Sequence, residues 1–207
     1  MTNYYYTKNP IVRHQKKTWD FTLYAKTFKF VTDNGVFSKA TVDFGSRVLL
    51  EALSETEFCG DILDVGCGYG PIGLALAAKF TRSHVDMVDV NLLALQLAKE
   101  NAQINAIKNV TIFESDCYQN VLKDDYVAIV TNPPIRAGKE VVHKILSESK
   151  QHLKVGGSIN VVIQKKQGAP SAKNKLLEVF GNCQVIAKSK GYFILQSIKK
   201  ADETNAK

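Results

Sequence analysis

The scarce residues narrow the possibilities first. The 207-residue chain has four cysteines, two methionines, one tryptophan and five prolines. Cys59, Cys67, Cys117 and Cys183 form no C-x-x-C pair and fit no zinc signature. A chain of this length can bury a core without disulfide staples, so reduced thiols in the cytoplasm are the expectation. His14, His84, His143 and His152 are scattered, and no metal site is expected. There is no apolar run of the ~18 residues that a membrane helix requires. The opening MTNYYYTKNPIVRHQKK also lacks the apolar segment of a signal peptide. Hydrophobic residues make up 45% and charged residues 23%, an ordinary globular balance. The net charge of +7 permits a nucleic-acid partner but does not require one.

Two patterning styles follow one another. From Thr18 to Val42 apolar and polar residues alternate with period two, and Asp33-Asn34-Gly35 offers turn chemistry. Short antiparallel strands are expected there, with a helix over 43–54. From Asp61 onward, short apolar runs (DILDV, HVDMVDV, VTIFESD, YVAIVTN, GGSINVVIQ) alternate with helical spacings (71–80, 92–105, 139–153, 171–180). The segments 183–189 and 191–198 read as a final antiparallel pair. Strand–helix alternation implies a parallel sheet with helices on both faces. The predicted fold is a Rossmann-like, doubly wound, seven-stranded mixed α/β sheet with an antiparallel final strand and a short N-terminal β extension. The corresponding division is an extension over 1–42, a catalytic domain over 43–200 and a frayed tail over 201–207.

The run Asp64-Val-Gly-Cys-Gly-Tyr-Gly70 closes the first strand of the α/β part, where open sheets bind ligands. The dinucleotide spacing fails, because Pro71 stands where the third glycine should be, and no Walker GK[ST] follows. Asp89 lies about 20 residues on, placed to accept from ribose hydroxyls. Asp64, Asp89 and Asp116 read as carboxylates closing three successive strands on one rim. Such a rim suits a ribose and a cationic amino-acid group, and repels a pyrophosphate.

DVGCGYG with the acids at 89 and 116 resembles the class I S-adenosylmethionine-dependent methyltransferases. By that resemblance Asp64, Gly66, Cys67, Gly68 and Gly70 line the methionine end of the cofactor. Asp89 binds the ribose, Asp116 with Cys117 lies at the adenine, and Val90 and Asn132 are further cofactor contacts. Cys67 and Cys117 are expected to pack rather than to act as nucleophiles.

Asn132-Pro133-Pro134-Ile135 follows the fourth strand of this unit. Prolines stiffen the turn and leave an amide and a backbone carbonyl at the same rim. An exocyclic ring amine is a poor nucleophile because its lone pair is delocalised. Two acceptors, Asn132 Oδ1 and the Pro133 carbonyl, would hold its hydrogens and aim the lone pair at a methyl group. Asn132, Pro133 and Pro134 are the catalytic candidates. NPPI in this place resembles methyltransferases of amino groups and argues against cytosine carbon-5 methylation, which needs a cysteine nucleophile.

NPPIRAGK, NGVFS (34–38) and DFGSRVLLEAL (43–53) together resemble the small-domain methyltransferases of the RsmC type over Tyr24 to Ile198. That resemblance implies transfer to the N2 amine of a guanine in small-subunit (16S) ribosomal RNA, without the additional amino-terminal half of longer members. Phe37, Ile135, Arg136 and Lys139 are the expected substrate contacts. Lys8, Arg13, His14, Lys16 and Lys17, interleaved with Tyr4, Tyr5, Tyr6 and Trp19, are expected to meet phosphates and stack on bases. Lys165 and Lys166 form a further basic pair. Two rival readings are an amino-group methyltransferase acting on adenine or protein glutamine, and a non-catalytic RNA-binding assembly factor.

Overall fold

The computed structural model describes residues 7–9 and 13–201. Tyr4, Tyr5 and Tyr6, and residues 202–207 of the expected tail, lie outside the described residues.

A two-stranded antiparallel hairpin, β1 (Lys17–Leu23) and β2 (Lys26–Thr32), comes first. Its turn is Tyr24–Ala25, while Asp33-Asn34-Gly35 turns the chain after β2, with Val36 N–H donating to the Asp33 carbonyl at 3.4 Å. Tyr24 and Ala25 both have positive φ, 49° and 60°, as a two-residue hairpin loop demands. Tyr24 is held there by its hydroxyl, which donates to the Leu50 carbonyl at 2.6 Å. Residues 33–42 form no strand. The Asp33 carboxylate instead accepts from the backbone N–H of Gln15 and Asn34 at 2.6 and 2.7 Å.

α1 (Phe44–Ala52) is capped by Asp43, whose side chain accepts from Ser46 N–H. The α/β unit then runs β3 (Ile62–Val65), α2 (Pro71–Lys79), β4 (Val85–Asp89), α3 (Leu92–Ile104), β5 (Val110–Glu114) and β6 (Tyr126–Thr131). It continues through α4 (Lys139–His152), β7 (Leu153–Gln164), α5 (Ala169–Phe180), β8 (Gln184–Ser189) and β9 (Tyr192–Ile198). The seven strands are ordered β5-β4-β3-β6-β7-β9-β8. The five strands from β5 to β7 are mutually parallel, and β9 is antiparallel to both neighbours. The expected mixed sheet with an antiparallel final strand is what the chain forms.

Two cores sandwich the sheet. Ile62, Leu74, Met87 and Leu49 pack on the face that carries α1, α2, α3 and the hairpin. Leu63, Val65, Ile129, Leu146 and Leu176 pack on the face of α4 and α5. The assignment follows the two-residue period of a strand. Ile62 faces one core and Leu63 the other, so Asp64 must face the α2 side. Likewise Ala128 and Val130 face the α1 side and Ile129 the opposite side. Continuing that alternation past the end of β6 directs Asn132 towards α1.

The hairpin is tied down by Asn101 on α3 and Asn105 at its C-cap. Asn105 accepts from Lys29 N–H and donates to its carbonyl, and Asn101 does the same with Val31. Four residues of helix rise ~6.0 Å and two residues of strand ~6.6 Å. Side chains at i and i+4 on α3 therefore match i and i+2 on β2. Among the described residues, no helix is long and apolar enough to cross a membrane.

Candidate active site

A cavity of about 530 Å³ opens at the carboxyl ends of the parallel strands, within the size range of ligand sites. Its walls come from the glycine loop (Gly66, Cys67, Gly68), the β4 end (Asp89, Val90, Asn91), the β5 end (Ser115, Asp116, Cys117) and the NPPI turn. Val36, Phe37 and Ser38 close one side of it, and Asp43 and Ser46 from the start of α1 another.

The glycine loop keeps its shape through positive φ at Gly66 and Gly68, 76° and 57°. A Cβ on Gly68 would meet nothing within 4 Å, and one on Gly66 only Pro134 Cδ at 4.0 Å. Backbone is thus laid bare to the cavity. Gly70 has a different task. It ends the loop in the left-handed region (φ 98°) as the N-cap of α2, and it does not line the cavity. A Cβ there would press Leu74 at 3.0 Å and Met87 at 3.1 Å.

Asp64 departs from the expected rim. It is fully buried, its Oδ2 accepts from Gly73 N–H at 2.8 Å, and it does not border the cavity. Strand alternation turns it beneath the loop to hold the start of α2. Burial, with Asp89 nearby, pushes its carboxyl up to about 7, and Oδ1 has no hydrogen-bond partner among the described residues.

Asp89 does face the cavity. Its Oδ2 accepts from Gly68 N–H at 2.8 Å and its Oδ1 from Asn91 N–H at 2.9 Å. Burial holds this carboxyl above the ordinary carboxylate range. Each oxygen keeps a further lone pair, so the group can bind the loop and still accept from a diol. Asp116 lines the wall beyond β5 and lies 3.5 Å from Lys144. Cys117 sits beside it with φ 54°, its thiol pushed up to about 12, chiefly by burial. Burial raises the Cys67 thiol as well. Neither thiol is a ready thiolate nucleophile.

Asn132 is the polar centre of the neighbouring wall. Its Nδ2 donates to Asp43 Oδ2 at 2.8 Å and to Ser46 Oγ at 3.0 Å. Both amide hydrogens are engaged, while Oδ1 accepts from no group among the described residues. The Pro134 carbonyl receives Ala137 N–H at 2.9 Å and closes the turn. The alternating pattern puts Asn132 on the α1 side, and the Asp43 cap puts a carboxylate there to meet it. The sequence reading missed Asp43 and Ser46 as members of the site. The signal was present in DFGS, where Gly45 admits the Tyr192 ring: a Cβ at 45 would lie 2.9 Å from Tyr192 Cε1.

Phe37, Ile135 and Arg136 line the cavity, with Phe37 exposed at its mouth. Lys139 does not. It borders a smaller neighbouring depression with His143 and Ser171, because it opens α4 one turn further on. The basic N-terminal segment is less free than expected. Lys8 pairs with Glu114, Lys16 with Glu100, and His14 with Asp33. The Trp19 indole N–H donates to Thr32 Oγ1, and the ring packs on Phe30 and Tyr69. Trp19 is therefore part of the hairpin core, not an open stacking platform.

The lining fits a nucleoside carrying an amino-acid arm: the Asp89 carboxylate, exposed backbone at Gly66 and Gly68, and apolar side chains that include Val90 and Ile145. Comparisons with known proteins agree. The methyltransferase small domain model matches residues 27–196. "Uncharacterized protein YbxB" of Bacillus subtilis (strain 168) is 52% identical over 200 residues, covering 96% of this chain and all of that protein. Ribosomal RNA small subunit methyltransferase C of Actinobacillus pleuropneumoniae serotype 3 (strain JL03) is 32% identical over 159 residues, 74% of this chain and 47% of that one. The structure of T. thermophilus 16S rRNA N2 G1207 methyltransferase in complex with AdoMet and guanosine superposes with a TM-score of 0.81 at 27% identity. It is covered over 52% of its length and covers 92% of this chain. The chain thus spans about half the length of the ribosomal RNA methyltransferases it matches. With four-fifths of its residues inside the matched model, the chain belongs to the methyltransferase small domain family, whose members depend on S-adenosylmethionine.

Proposed function

We propose that the protein transfers a methyl group from S-adenosylmethionine to the exocyclic N2 amine of a guanine in small-subunit ribosomal RNA. The observation that carries this reading is the Asn132 amide. Asp43 and Ser46 lock its nitrogen, which leaves Oδ1 as an acceptor at the cavity, on the strand next to the one that carries the glycine loop. The similarity to a 16S rRNA N2 G1207 methyltransferase, whose structure holds AdoMet and guanosine, supports the same choice of substrate.

When bound, S-adenosylmethionine supplies an electrophilic methyl group on a sulfonium. Asp89 accepts from the ribose hydroxyls, and the bare backbone at Gly66 and Gly68 takes the amino-acid arm. Val90, Asp116 and Cys117 border the base. Asn132 Oδ1 and the Pro133 carbonyl accept the two amine hydrogens, and holding both turns the nitrogen lone pair towards the methyl carbon. As the new C–N bond forms, the C–S bond breaks, and the surplus proton leaves the nitrogen to water. No side chain of matched pKa is needed for that loss. Phe37 and Ile135 flank the target base once it is flipped out of its stack, and Arg136 meets the neighbouring phosphate.

The test is transfer of tritiated methyl to ribosomal RNA separated into its two subunits. Asn132→Ala should lower the rate by roughly 100-fold while S-adenosylhomocysteine binds as before. An undiminished rate would defeat the mechanism, and label confined to DNA or protein would defeat the substrate.

A further inference from the structure

We propose that Asp43 reads the target base, accepting the guanine N1–H while Asn132 accepts from the adjacent amine. The inference rests on the guanine-N2 reading above and names the group that makes the site prefer guanine. Asp43 has two oxygens with separate tasks. Oδ2 caps α1 through Ser46 N–H at 3.0 Å and fixes Asn132 Nδ2 at 2.8 Å. Oδ1 receives no hydrogen bond among the described residues, and Asp43 borders the cavity beside Asn132. The wall thus presents two neighbouring acceptors, Asp43 Oδ1 and Asn132 Oδ1, and the Asn132 amide cannot flip without setting its oxygen against the acceptor-only Asp43 carboxylate.

That pattern selects among bases by chemistry alone. The Watson–Crick edge of guanine places N1–H next to N2–H₂, two donors in a row. Adenine places its amine next to the acceptor N1, and cytosine next to the acceptor N3. Against an acceptor-only carboxylate those ring nitrogens set lone pair against lone pair, and a buried acceptor is left unpaired. Only guanine satisfies both oxygens. Tyr192 packs on the segment: a Cβ at Gly45 would fall 2.9 Å from its ring.

Asp43→Asn separates reading from support. Asparagine is as good an N-cap as aspartate, and its carbonyl can still accept from Ser46 N–H and Asn132 Nδ2. Only the cavity-facing atom changes, from acceptor to donor. Unmodified ribosomal RNA would be methylated by each protein, digested to nucleosides and analysed by mass spectrometry, with S-adenosylhomocysteine affinity as the measure of an intact fold. Asp43→Asn should make N2-methylguanosine at least about tenfold more slowly, and the ratio of methyladenosine or methylcytidine to it should rise. Guanine methylation at the wild-type rate with unchanged products would overturn the assignment to Asp43. A wild-type protein that methylates some other amino group would instead overturn the guanine reading itself. Inhibition of the wild-type protein by free nucleosides gives a second measurement that needs no variant. Guanosine should inhibit at a concentration about tenfold lower than 2-aminopurine riboside, which keeps the 2-amine but has an acceptor at N1. Equal inhibition would overturn the proposal.

Discussion

The Asn101 carboxamide pairs with both backbone groups of Val31, accepting its N–H at 2.7 Å and donating to its carbonyl at 3.1 Å. The same Nδ2 donates to the Tyr69 carbonyl in the glycine loop at 2.9 Å. One fully buried side chain therefore ties the N-terminal hairpin, α3 and the cofactor loop together. Asn101→Leu should leave a buried N–H and two carbonyls unpaired, at a cost of about 2–4 kcal/mol. The urea midpoint should fall accordingly, and S-adenosylhomocysteine affinity should fall with it. A loss of stability with unchanged affinity would show that the loop does not depend on this tie.

Asp89 supports two loops and faces the cavity. Asp89→Ala should weaken S-adenosylhomocysteine binding by roughly 10- to 100-fold, the worth of charge-assisted hydrogen bonds to a diol. Calorimetry of the two proteins decides the matter, and equal affinity would remove Asp89 from the ribose site.

Asp64 gives a pH signature. Its carboxyl is raised to about 7 in the fold, chiefly by burial, and is ordinary when unfolded. Between those values the folded state binds the extra proton, so its contribution to stability is full under acid and is lost as pH rises from about 4 to about 7. Asp64→Asn should show a smaller decline across that window in denaturant titrations of the cofactor-free protein. Parallel pH profiles for the two proteins would refute the assignment.

Gly45 tests the seat of Asp43. Because a Cβ there would fall 2.9 Å from the Tyr192 ring, Gly45→Val should displace the start of α1. Methyl transfer should drop at least tenfold with little change in S-adenosylhomocysteine affinity. The double variant Gly45→Val, Tyr192→Ala should recover part of the rate, and a failure to do so would show that the ring is not the obstacle.

The sequence by itself determined the layered sheet, because period-two and period-3.6 patterns are local and burial on both faces leaves short apolar runs. It also determined where the ligand end lies, since DVGCGYG and NPPI each follow a strand directly. Tertiary structure alone decided the rest. Tyr24 and Ala25 make the hairpin turn, with the Tyr24 hydroxyl held by the Leu50 carbonyl, and Asp33-Asn34-Gly35 makes a separate turn after the hairpin. Lys8, Lys16 and His14 of the N-terminal segment pair with Glu114, Glu100 and Asp33. Asp43 meets Asn132 across 89 residues of chain. No local pattern records such a meeting, because it depends on where α1 and β6 come to rest against each other in the packed core.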